Sequence, residues 1–161
     1  MIIRPMSGLR VVGANARSGW IVKKVTLNGQ DVSDTPVDLR EHDVNGVEII
    51  LTTRASTVTG TAVDSENKPL IGYSVVVFAD NDAKWGIWSR WVTYTRTGAQ
   101  GQFSLRGLPG GGYLAVVLPS VINGEWQDPE FLKKQRSNPD VVRFTLTDEG
   151  TQTIKVVGRK Q

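Results

Sequence analysis

Trp85, Trp88, Trp91 and Tyr94 fall within ten positions of one another, interleaved with Arg90 and Arg96. Exposed aromatic faces stack on pyranose rings, and Trp and Arg are the side chains that most often anchor protein interfaces. With Trp126, which the fold can bring near, the candidate binding set is Trp85, Trp88, Arg90, Trp91, Tyr94 and Trp126. A sugar platform requires at least two of Trp85, Trp88 and Trp126 to be exposed and roughly coplanar. The same rings have a second use, which is to cover the long loop between Phe78 and Val92 and give it a small core of its own. Trp91 and Trp126 are expected in that packing role, while both uses stay open for Trp85 and Trp88.

Other chemistry is thinly supplied. There is one His and no Cys, which removes disulfides, thiolate zinc sites and a cysteine nucleophile. His42 lies in the polar stretch Arg40-Glu41-His42-Asp43, and no Ser stands in a Gly-x-Ser-x-Gly turn, so a serine triad is not expected. Glu125, Asp128 and Glu130 gather beside Trp126, and paired carboxylates could serve glycoside hydrolysis. Capping of a helix accounts for Asp128 and Glu130 without catalysis. No catalytic residue, metal or cofactor is therefore expected. Lys133, Lys134 and Arg136 read as a solvated helix face, not a nucleic-acid site.

These residues must be positioned by β-structure. The chain has 161 residues, 39% apolar and 22% charged, with 17 Gly and 7 Pro and a net charge of +3, a composition that fits a turn-rich globular protein. Alternating, β-branched segments recur at Trp20 to Leu27, Gly46 to Thr52, Thr57 to Val63, Ser74 to Ala79, Arg90 to Thr95, Gln102 to Arg106, Tyr113 to Leu118, Val141 to Thr147 and Gln152 to Val157. Asn28-Gly29, Asn67-Lys68-Pro69, Gln100-Gly101, Asn123-Gly124 and Asp148-Glu149-Gly150 supply turns between them. Short strands at this spacing predict an all-β, antiparallel, Greek-key-like sandwich of seven or so strands. One short surface helix is expected near 128–136, with Asp128 as N-cap, Pro129 in the first turn and bases at its end. Its Phe131 and Leu132 should bury against the sheet. No stretch approaches the roughly 20 apolar residues that span a bilayer. The start, Met1-Ile2-Ile3-Arg4-Pro5-Met6, is broken too soon to be a signal peptide, so an export signal would lie outside this chain.

Val58-Thr59-Gly60-Thr61-Ala62-Val63-Asp64, Pro69-Leu70 and Val75-Val76-Val77-Phe78, followed by Gly101-Gln102-Phe103-Ser104-Leu105, Gly107-Leu108-Pro109 and Gly111-Gly112-Tyr113-Leu114, resemble the carboxypeptidase regulatory-like domains. Transthyretin-like and collagen-adhesin B-type domains share much of this pattern. Gly101 and Gly111 sit where tight reversals need positive φ, and Phe103, Leu105 and Tyr113 should point inward. Asn67 replaces a glycine common in the family, which Asn can do because it tolerates the left-handed conformation. The enzymes from which the family takes its name need a zinc held by two His and a carboxylate, and one His cannot supply it. A lysine crosslink of the adhesin type is not expected in residues 57–157, because the first strand, Thr57 to Val63, has no Lys.

Residues 20–54 look like the stretch that precedes such a domain in large bacterial proteins. Leu9-Arg10-Val11-Val12 with Gly19-Trp20 echoes Leu114-Ala115-Val116-Val117 with Gly124-Glu125-Trp126. Residues 1–54 are thus expected to be a partial β-domain holding the closing strands of an earlier repeat, with 55–161 as the full sandwich; coincidence within the narrow alphabet of strands stays open. The resemblance implies a non-catalytic structural or interaction module of an exported bacterial protein, extracellular, periplasmic or outer-membrane associated. Its partners would be other domains of the parent or a protein or glycan surface. The alternative is a carbohydrate-binding module using exposed tryptophans.

Overall fold

The computed structural model describes residues 8–14, 17, 19–40, 44–87 and 89–160. His42 and Trp88 lie outside them. The chain divides into two compact units, Met1–Arg54 and Ala55–Gln161.

The first unit contains β1 (Leu9–Arg10), β2 (Ile21–Leu27), β3 (Gln30–Asp31), β4 (Val37–Asp38) and β5 (Val47–Thr52). β2 lies between β3 and β5 in one antiparallel sheet, and β1 pairs with β4. Asn28 and Gly29 turn β2 into β3 with φ of 50° and 82°, the left-handed pair that matches the twist of a two-residue hairpin. Ser33 Oγ accepts from the Val25 N–H at 2.9 Å and donates to Asp31 Oδ1 at 2.6 Å, pinning the segment after β3 to β2.

The second unit contains the seven strands β6 (Thr57–Val63), β7 (Ser74–Ala79), β8 (Val92–Arg96), β9 (Gln102–Arg106), β10 (Gly111–Leu118), β11 (Val142–Leu146) and β12 (Thr151–Val157). They form a four-stranded sheet in the order β11-β10-β7-β8 and a three-stranded sheet in the order β12-β6-β9. This is the expected all-β sandwich, with one difference. β12 runs parallel to β6 along seven paired residues, from Thr151 with Thr57 to Val157 with Val63. First and last strands enter one sheet in the same direction, a relation between distant segments that the composition of neither strand encodes.

β9 shows the alternation of a strand with one dry face: Phe103 and Leu105 are buried and Gln102, Ser104 and Arg106 exposed. β7 is buried along its whole length, Ser-Val-Val-Val-Phe-Ala, as a strand covered on both faces must be. Between the sheets, Val75, Val77, Tyr113 and Ala115 meet Val58, Phe103, Ile154 and Val156. On the outer face, Val76, Phe78, Val92, Leu114 and Val116 are covered by Leu132 of the helix α1 (Pro129–Arg136). Asp128 accepts from the Glu130 N–H at 3.0 Å as the N-cap, Pro129 opens the helix and Lys133, Lys134 and Arg136 close it.

One local expectation is corrected and another holds. The strand expected from Arg90 begins at Val92. Gly101 and Gly111 have the expected positive φ, 71° and 159°; a Cβ on Gly111 would in addition come 3.1 Å from Trp91 Cζ3, and Gly107, at 84°, is a further positive-φ residue before β10.

Candidate functional site

The sheet divides the aromatic set. Trp91 belongs to the core between the sheets and is 7% exposed, stacked on Tyr113 with ring centres 6.1 Å apart and planes at 22°. Lys84 Nζ lies 3.3 Å from the Trp91 ring centre and Arg90 Cζ 5.7 Å from it, a cation–π arrangement that holds the loop over the ring. The Trp91 Nε1 donor is buried with no partner among the described residues.

Trp85, Tyr94 and Trp126 take the other face. Trp85 is half-buried; its Nε1–H donates to the Ala79 carbonyl at 2.7 Å and its ring meets Phe78 edge-on at 5.6 Å. Trp126 is half-buried against the outer core, and its ring lies 5.2 Å from that of Tyr94, tilted by 40°. Tyr94 is 40% exposed. The backbone explains the division: Val92 and Tyr94 share one face of β8, and the short 3₁₀ turn Glu125–Gln127 carries Trp126 to it.

The acidic candidates are occupied by local structure. Glu125 Oε2 accepts from the Ile122 N–H at 3.1 Å and Asp128 caps α1. Two charged groups that the sequence did not single out for a site come together on Asp80: Arg136 lies 3.2 Å and Arg143 2.9 Å from its Oδ1. In the first unit, the exposed pair of Asp38 and Arg40 shifts both groups, the hydrogen bond from the guanidinium lowering the Asp38 pKa and raising that of Arg40. Among the described residues no group of three metal-ligating side chains converges.

A cavity of about 400 Å³ opens beside the end of β10, floored by Val116 to Pro119 and walled by Lys134, Gln135, Asn138 and Asp140 and by Gly158 and Arg159. Gln135 is 7% exposed. It could have been found at the sequence level, since it lies three positions after Leu132 on the buried stripe of α1.

No protein-family model and no curated protein matches the chain. Among solved structures, the Bacillus anthracis TIE protein is 14% identical with a TM-score of 0.41, the match covering 76% of this chain and 20% of that one. A streptococcal ancillary pilin is also 14% identical, with a TM-score of 0.43 over 76% of this chain and 38% of the pilin. The 5-hydroxyisourate hydrolase of Klebsiella pneumoniae is 19% identical, with a TM-score of 0.33 over 64% of this chain and 87% of the enzyme. The chain thus spans well under half the length of the first two, and likenesses at these values carry no implication for its chemistry.

Proposed function

We propose that residues 55–161 are a non-catalytic interaction and spacer module, similar to carboxypeptidase regulatory-like domains, within a larger exported protein whose preceding partial repeat is residues 1–54. The observation that carries this reading is the use made of the conspicuous side chains. Trp85 and Trp91 are engaged in packing and Asp128 in capping, and both faces of the central sheet are covered. Surfaces offered by such a sandwich suit contact with neighbouring domains. The test is quenching of tryptophan fluorescence with a neutral quencher, together with titration against soluble polysaccharides. Partial quenching, with the 48% exposed Trp20 among the accessible rings, and no saturable shift are expected.

A second reading, carbohydrate binding, rests on the Tyr94 and Trp126 rings, because Tyr94 keeps 40% of its surface exposed beside Trp126. A saturable shift that disappears in both Tyr94→Ala and Trp126→Ala would make it the better account.

A further inference from the structure

β10 is longer than its neighbour on one side. The Asp80 N–H donates to the Gly112 carbonyl at 2.9 Å, which directs the even-numbered residues of β10 towards β7 and the odd-numbered ones towards β11. β11 supplies Phe144 opposite Tyr113 and Val142 opposite Ala115, and there the pairing stops. The next position along its line is Asp140, whose N–H is taken by Asn138 Oδ1 at 2.9 Å. Val117 is 6% exposed, and its N–H and C=O, aimed at that line, have no hydrogen-bond partner among the described residues. Val117 thus keeps one donor and one acceptor in the places where a further residue of β11 would meet them.

That donor and acceptor face the cavity floored by Val116 to Pro119. Gln135, nine-tenths buried in its wall, accepts from Asn138 Nδ2 at 3.4 Å, and its side-chain amide lines the cavity. At the rim stand Lys134, exposed on α1, and Arg159, whose Nε contacts Asp140 Oδ2 at 3.2 Å. Two cations against one acid leave the opening positive. A volume of about 400 Å³ is within the range of roughly 300–1,000 Å³ typical of ligand pockets.

We infer that this cavity binds an extended, acidic peptide segment of a partner, whose backbone takes the strand position opposite Val117. One residue of such a segment accepts from the Val117 N–H and donates to its carbonyl, as a further residue of β11 would. A small apolar side chain sits on Leu118 and Pro119, a backbone carbonyl accepts from Gln135 Nε2, and a carboxylate lies between Lys134 and Arg159. A sugar would meet the polar groups but not the donor–acceptor pair spaced for a strand. The inference gives the interaction module a partner class and rests on that reading.

The test is amide NMR of the ¹⁵N-labelled full chain titrated with the probe peptide acetyl-Val-Thr-Val-Glu. Saturable shifts at Val117 and the Gln135 side-chain amide are expected, with a Kd of about 0.1–1 mM, the strength of a fragment-sized contact. Lys134→Glu should weaken binding about 5-fold, and the probe with Gln in place of Glu should bind weaker by a similar factor. Shifts that are absent at about 5 mM, that map elsewhere, or that ignore both charge changes would overturn it. So would slow hydrogen exchange at the Val117 amide in the free protein, which would mean that the chain's own residues fill the position. None of these results touches the module reading, which falls instead to a saturable polysaccharide response at Tyr94 and Trp126.

Discussion

The two faces of the four-stranded sheet are closed by different means. The inner face is sealed by other strands. Phe103 of β9 lies over Gly60 of β6 so closely that a Cβ on Gly60 would be 2.6 Å from the ring and 2.2 Å from the Ile154 carbonyl oxygen. The outer face is sealed by one short helix, two 3₁₀ turns and half-buried Trp85 and Trp126. Strand pairing commits most residues on the inner side to a long-range ladder, whereas the cover on the outer side is held by side-chain burial and a few caps. The inner face should therefore open only with the whole sandwich, and the outer cover should open locally at lower cost.

The largest test removes the centre of the inner stack. Tyr113 lies between Trp91 and Phe144, 5.8 Å from the latter, and its hydroxyl donates to the Pro109 carbonyl at 2.7 Å. Tyr113→Ala should cost about 4 kcal/mol in denaturant unfolding and accelerate hydrogen exchange in both sheets together. Loss confined to one sheet would break the claim of a single inner unit. Leu132→Ala, which empties a fully buried position of the outer cover, should cost about 3 kcal/mol. Its exchange signature should be local, with α1 opening while β6 and β7 stay protected.

Smaller effects sharpen the contrast. Trp85→Phe keeps the ring edge against Phe78 and loses the 2.7 Å hydrogen bond to Ala79; about 1 kcal/mol is expected, read from the thermal midpoint. Asp128→Ala removes the N-cap and should cost about 0.5–1 kcal/mol, with faster exchange at the Glu130 amide as its marker. The smallest effect lies outside both faces. Because Arg40 lowers the Asp38 pKa, the pair's stabilisation is present above the unfolded value of about 3.9 and is lost as pH falls through the lower folded one. Asp38→Asn should slightly flatten the acid limb of the first unit's stability, measured by pH titration of its unfolding midpoint.

Much of the sandwich was legible. Thr57–Val63, Ser74–Ala79 and Gln102–Arg106 form strands over the spans that alternation and turn residues predict, and Asp128-Pro129 marks the start of α1. These signals act over a few residues and need no knowledge of the rest of the chain. The two-residue strands β1, β3 and β4 were not legible, because segments that short have no period to detect. The aromatic set was legible as a group but not in its distribution. Trp91 and Tyr94 are three positions apart, so alternation alone sends them to opposite faces; which face is the inner one is decided by the packing of the two sheets.

The sequence by itself determined that this is an all-β protein with one capped helix and an aromatic-rich loop, since period, capping and turn chemistry are local properties of the backbone. Tertiary structure alone decided that β12 returns parallel to β6, that the central sheet is covered on both faces, and that Val117 and Gln135 meet at one cavity. Those outcomes depend on which distant segments share a ladder, and the ends of a ladder, where one strand outruns the next, are set by the packing of the whole.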